Sequence, residues 1–213
     1  MFVKTKMTAN PFTISADQTI PDAHEIMAQY GVRRLPVMKK NKLVGIVSKD
    51  DILRASPSKA TSFSIGEITY LLAKMKISQI MTKDPVTVSS GALLEEAAIL
   101  MRDHHVSILP VVDDAKLVGI ITESDIFDSF IDLLGFREPG TRLTVEADDA
   151  PGIMSNLTGI IGNYGANITH VVVYRGASGK SAIVIGINSL NTTDIEKSIE
   201  GRGYKILYKL QNK

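Results

Sequence analysis

Residues Met7 to Leu53 recur without a gap as Met81 to Phe127, with about eighteen of forty-seven aligned positions identical. The best-matched stretches read RRLPVMKKNKLVGIVSKDDIL and SILPVVDDAKLVGIITESDIF. A unit this short does not easily enclose a core by itself, so two copies are expected to pack face to face. Such packing creates two related clefts, and clefts are where small ligands sit. Function is therefore sought at polar positions that recur in both copies.

Each copy has the same sketch. A short extended stretch (PFTIS, PVTVS) leads into an apolar-periodic helix. In the first copy Ile20, Ala23, Ile26 and Met27 form the stripe, Thr19 is the expected N-cap with Asp22 three residues on, and Gly31 is the expected stop. In the second copy the stripe is Leu93, Leu94, Ala97, Leu100 and Met101. Two strands follow, LPVM and KLVGIVS, joined by KKN; their counterparts LPVV and KLVGIIT are joined by DDA. Adjacent apolar residues in these strands predict burial on both faces. A second helix starts at Ser48 or Thr122.

Between the copies, SIGEITYLLAKMKI reads as a helix with Ile65, Ile68, Leu72 and Met75 on one side. After Arg137-Glu138-Pro139-Gly140 the pattern changes. TRLTVEA alternates as a half-buried strand. DDAPG then opens a helix carrying Ile153, Met154, Leu157, Ile160 and Ile161, with Asp149 as cap, Pro151 in the first turn and Gly165 as stop. ITHVVVYR and KSAIVIGI flank the turn GASG, and a helix near Thr193–Glu200 and the strand YKILYKL follow. The order β-α-β-β-α-β is the ferredoxin-like one.

Composition narrows the function classes. The chain has 213 residues, is 44% apolar and 22% charged, and carries a net charge of +1. That charge gives no strong pull toward nucleic acid. The absence of cysteine removes disulfides and thiolate metal sites, and fits a cytoplasmic location. The opening MFVKTKMTANPF lacks the apolar core of a signal peptide, and no run approaches the ~18 apolar residues of a spanning helix. No Ser-His-Asp spacing, phosphate-binding Gly-x-x-x-x-Gly-Lys loop or metal-ligand cluster is visible, so no catalytic or metal residue is expected.

The recurring polar pattern is a hydroxyl and a carboxylate three apart at a strand-to-helix junction: Ser48 and Asp51, Thr122 and Asp125. One reading is a capping box, in which hydroxyl and acid satisfy local N–H groups. The other is a ligand site. The helix start favours a phosphate, the carboxylate accepts ribose hydroxyls, and Gly45 and Gly119 admit a ligand or a strand close to the backbone. Pro36, Val37, Pro110 and Val111 are candidates to line a purine slot. Arg33, which aligns with Ser107, is a candidate phosphate ligand or, equally, one partner of a surface salt bridge. His104 and His105 are neighbours and suit a metal poorly.

Tandem copies of Gly-h-x-Ser/Thr-x-x-Asp resemble a pair of CBS domains. The resemblance implies an α+β architecture, with β-α-β-β-α repeats packed about a pseudo-two-fold. It implies binding of AMP, ADP, ATP or S-adenosylmethionine as a regulatory ligand. Asp51 and Asp125 would hold ribose, Ser48 and Thr122 would lie near ribose or phosphate, and Thr13, Thr87 and the Leu-Pro-Val segments would frame adenine. The C-terminal order, with Asp-x-Pro-Gly and Gly-Ala-Asn-Ile, resembles an ACT domain. That likeness implies an amino acid bound by Asp149, Ala150, Gly152, Asn167 and Ile168. The expected division is 1–55 for the first repeat, 56–77 for a linker with a helix, 78–136 for the second repeat and 139–213 for the ACT domain. The whole resembles the acetoin-utilization accessory family. The expectation is a homodimeric, non-enzymatic sensor acting on a partner protein, without nucleic acid or membrane. The alternative is a ligand-free scaffold or an accessory subunit of a metabolic enzyme.

Overall fold

The computed structural model describes residues 1–55, 70, 72–176 and 179–213. Ile65, Ile68, Ala177 and Ser178 lie outside them. The chain divides into two compact units, Met1–Ile126 and Phe127–Lys213.

In the first unit the strands are β1 (Thr8–Ala9), β2 (Ile14–Ser15), β3 (Arg34–Lys39), β4 (Lys42–Ser48), β5 (Thr82–Lys83), β6 (Ile108–Asp113) and β7 (Lys116–Thr122). The helices are α1 (Ile20–Gln29), α2 (Lys49–Ala55), α3 (Ile77–Ile80), α4 (Leu94–His104) and α5 (Glu123–Leu133), the last running past the division between the units. Local chemistry accounts for many of the ends. Thr19 donates its N–H and its hydroxyl to the Asp22 carboxylate at 2.8 and 2.9 Å, closing the start of α1. Gly31, just past α1, takes the left-handed conformation at φ 66° that ends a helix without steric cost. The β3–β4 turn places Lys40 and Asn41 at φ 50° and 62°, as a tight hairpin of matching twist requires. Leu35, Pro36 and Val37 are all buried, so β3 is covered on both faces as expected.

The two sheets are built by exchange. One has the order β2-β3-β4-β5, the other β1-β7-β6. Strand β1, which leads into the first repeat, pairs with β7 of the second: Thr8 faces Ile120 and Ala9 faces Gly119. Strand β5, which leads into the second repeat, pairs with β4 of the first: Thr82 faces Ile46 and Lys83 faces Gly45. The cores follow the same rule. Val3 is fully buried in the second repeat's cluster, with Leu109, Val111 and Ile121. Ile77 is fully buried in the first repeat's cluster, with Leu35, Val37 and Val47. Leu72 and Met75 pack on that same cluster. Neither short repeat closes its core without the other's leader.

The second unit contains β8 (Gly140–Asp148), α6 (Ile153–Asn163), β9 (Ile168–Arg175), β10 (Lys180–Ile187), α7 (Thr193–Gly201) and β11 (Lys205–Asn212). The sheet order is β11-β8-β10-β9 and all pairs are antiparallel. This is the expected ferredoxin-like arrangement. Leu143, Val145, Ile183 and Ile185 of the sheet meet Leu157, Ile160, Ile195 and Ile199 of the two helices, so both helices cover one face. On the other face the residues after α5 fold back. Asn212 donates to the Phe136 carbonyl at 2.7 Å, and the His170 imidazole lies 3.5 Å from the Glu138 carboxylate. A Cβ on Gly135 would collide with the His170 ring, so that position has to be glycine.

Candidate ligand-binding cleft

Both recurring hydroxyl–carboxylate pairs sit where a strand ends and a helix begins. Asp51 Oδ2 accepts the Ser48 N–H at 2.8 Å and the Ser48 hydroxyl at 2.6 Å, while Ser48 Oγ accepts the Asp51 N–H at 3.1 Å. Asp125 Oδ2 accepts the Thr122 N–H at 2.8 Å and its hydroxyl at 2.7 Å, with the return bond at 3.4 Å. The capping-box geometry is thus realised twice. It does not exhaust the carboxylate. Asp51 Oδ1 has no hydrogen-bond partner among the described residues. The two motif acids are half-buried.

A cleft of about 330 Å³ opens beside the second motif, at the small end of the size range for small-molecule sites. Arg33 and Arg34 come from the first repeat; Ser107, Thr122, Glu123 and Ser124 come from the second. The backbone explains the meeting. Arg34 pairs with Ser48 at the start of β3, and the Arg33 carbonyl accepts the Lys49 N–H at 3.1 Å, so the two arginines are held at the motif end of the sheet. Neither arginine forms an ion pair with another described residue.

The structure redistributes the other expected site residues. Thr87 lines a separate groove of about 380 Å³ with Lys42, Asp84 and Pro85. Thr13 is exposed just before β2. Val37 and Val111 are fully buried in the two cores, and Pro36 and Pro110 are buried beside them. The expected purine slot is therefore not lined by the valine side chains, because the cores use them. Gly45 and Gly119 admit a strand. A Cβ on Gly45 would lie 2.7 Å from the Thr82 carbonyl oxygen and 2.7 Å from Met81 Sδ; on Gly119 it would lie 3.0 Å from the Thr8 oxygen and 2.6 Å from Met7 Sδ. Arg34, Glu123 and Ser124 were not singled out from the sequence. The available signal for Arg34 was its alignment with apolar Ile108.

In the second unit Asp149 does not cap α6. Its carboxylate reaches Arg175 at 3.3 Å, and the helix starts at Ile153 behind Gly152, which sits at φ 88°. Pro151 accordingly precedes the first turn. Ala150 and Gly152 are exposed in this loop. Asn167 donates its N–H to Asn188 Oδ1 at 2.8 Å, and Ile168 begins β9 against the core. Among the described residues no cluster of three or more His, Asp or Glu could hold a metal.

The CBS-domain family model matches residues 3–58 and 77–132, over half of the chain. An inosine-5′-monophosphate dehydrogenase of Korarchaeum cryptofilum is 33% identical over 140 residues, 65% of this chain but 26% of the relative. The chain thus spans about a quarter of that enzyme. A solved Vibrio cholerae protein assigned to acetoin utilization is 35% identical, with a TM-score of 0.53, covering 65% of this chain and 96% of its own. The CBS-domain pair of protein MJ0100, solved with 5′-methylthioadenosine and S-adenosyl-L-methionine, is 30% identical at a TM-score of 0.51 and covers 61% and 95%. CBSX2, solved with AMP, is 31% identical at 0.51 and covers 62% and 97%.

Proposed function

The chain belongs to the CBS-domain family, and from that premise we propose that it is a non-catalytic regulatory protein binding an adenosine-containing ligand in its first unit. The observation that carries this is the duplicated motif. Asp51 and Asp125 each spend one oxygen on the helix start, and the free Oδ1 of Asp51 is available to ribose hydroxyls. Thr122 and Arg33 face the cleft where phosphate would lie. Thr13, Pro36 and Pro110 would frame the base through their backbone, as would Thr87, which lines a separate groove, for a ligand on that side. The relatives solved with AMP and with S-adenosyl-L-methionine support this ligand class. Such a ligand regulates a partner only by binding two states of the protein unequally.

Calorimetry with AMP, ADP, ATP and S-adenosylmethionine tests the reading. Micromolar-to-millimolar binding to the wild type is expected, weakened about ten-fold by Asp125→Ala through loss of a charged hydrogen bond. No heat and no melting shift with any of the four would overturn it. The second reading, a ligand-free scaffold, draws on the same motifs, since both acids are already satisfied in part by their own helices. It predicts partner capture unaffected by nucleotide.

The second unit we read as an ACT module. Its ferredoxin-like order and the exposed loop at Asp149, Ala150 and Gly152, with Asn167 and Ile168, support an amino-acid site. Homodimerisation, a cytoplasmic setting and control of a metabolic enzyme such as one of acetoin utilization belong to the same proposal. Melting shifts across a panel of amino acids, lost in Gly152→Val, would test the site.

A further inference from the structure

The β3–β4 and β6–β7 hairpins have the same backbone and opposite charge. Lys40 and Asn41 turn at φ 50° and 62°, Asp114 and Ala115 at φ 48° and 60°. Lys39 and Lys40 align with Asp113 and Asp114, whereas Lys42 and Lys116 match. The left-handed conformation suits Asp or Asn better than Lys, so the turn itself does not call for Lys40. Lys39, Lys40, Lys42 and Asp114 are exposed, and Asp113 is half-buried. Hydrogen bonds from the Ser90 side chain and N–H hold the Asp113 carboxyl below its ordinary value, so it is ionised at neutral pH. None of these charges is ion-paired with a described residue. Both hairpins border one groove, lined by Lys42 and Leu43 from the first and by Val112 and Ala115 from the second. Asp84, whose N–H reaches the Val44 carbonyl, offsets one of the three lysines, and Lys116 offsets one of the two aspartates. One pole of the first unit thus carries a cationic rim beside an anionic rim.

We propose that this pole is a self-association surface: the lysine hairpin of one copy meets the aspartate hairpin of a second copy, and the reverse contact forms at the same time. The inference rests on the homodimer reading above and adds the surface. A two-fold contact requires a patch that complements itself. A patch of one sign repels its own copy, whereas adjacent rims of opposite sign fit after a half-turn about an axis between them. That favours a second copy over a nucleic acid or an acidic peptide, which the aspartates would repel. Leu43, Pro85 and Val112, half-buried along the groove, lose further water in the contact. Each exposed Lys–Asp pair is weak by itself, so the charges act mainly by choosing the partner and fixing its register.

Analytical ultracentrifugation of the full chain provides the test. One variant carries Lys39→Glu with Lys40→Glu, the other Asp113→Lys with Asp114→Lys. The wild type is expected to self-associate, and less tightly as salt is added. Each variant alone presents two rims of one sign, and its self-association should weaken by about ten-fold or more. An equimolar mixture of the two variants should associate again, as a mixed pair, at about the wild-type affinity. Melting temperatures check that both variants fold. Asp114→Lys alone, which keeps the Ser90 bonds to Asp113, should shift association in the same direction if the double replacement unfolds. Unchanged association of the folded variants, or no recovery in their mixture, would overturn this surface and leave homodimerisation to another face. A wild type that stays monomeric would overturn both the surface and the homodimer.

Discussion

The first repeat opens its leading helix with Thr19 and Asp22 and releases it at Gly31. The second opens the matching helix with a bond from the Leu93 N–H to Glu96 at 2.8 Å and ends it on His105, held at φ 54°. The same backbone is reached with different side chains. At the hairpins, Asn41 at φ 62° is answered by Ala115 at φ 60°. Where each leader lies closest to the other repeat's backbone, by contrast, the residues repeat, although the next pair differs as Ala9 and Lys83. Gly45 and Gly119 are both glycine, and Met7-Thr8 and Met81-Thr82 repeat residue for residue. Solvent-facing turns tolerate a residue in a poor conformation at a small cost. A strand laid on a backbone does not tolerate a Cβ between them.

The largest effect should therefore come from the contact. Gly45→Ala is expected to cost about 2–3 kcal/mol and Gly119→Ala somewhat less, since the Cβ would stand 2.7 and 3.0 Å from backbone oxygens respectively. Urea denaturation measures this; equal stability of either variant and the wild type would break the comparison. Next come the motif acids. Asp51→Ala and Asp125→Ala should each cost about 1 kcal/mol in stability through the lost cap, and similar amounts because the geometries match. A marked difference in thermal unfolding would show that one acid holds more than its own helix. Opposite in sign, Ala115→Asn and His105→Gly should stabilise by about 0.5–1 kcal/mol each, by giving the second repeat what the first already has.

The smallest effect is electrostatic. The Thr19 N–H, and then its hydroxyl, hold the Asp22 carboxyl below its ordinary value of 3.8. A group depressed in the folded state adds stability above its unfolded pKa and loses it as the pH falls through the lower folded value. Asp22→Asn should leave a shallower acid limb below about pH 4, seen by melting across that range.

Much of the fold was legible. Apolar spacing placed the principal helices and strands of both units, and glycine marked the ends of α1 and α6. The local reading failed where neighbours decided. Asp149 looked like a cap, but Arg175 on another strand takes its carboxylate. Val37 and Val111 looked like slot walls, but two-sided burial draws them into cores. The candidate site was half legible. The hydroxyl–carboxylate pairs stood out because they recur and Arg33 because it replaces Ser107, whereas Arg34 beside it was not named as a ligand, because only packing decides which neighbours line the cleft.

From its residues alone this chain could be known to hold two similar units and a differently patterned third, since periodicity, turn residues and duplication are properties of neighbours in sequence. Which leader completes which repeat could not. A duplicated sequence is equally compatible with each leading strand pairing within its own copy or with the other, because both choices offer the same glycine and the same apolar partners. Only three-dimensional packing separates them, placing Val3 in the second core and Ile77 in the first. The same packing brings the arginines of one repeat to the hydroxyls of the other.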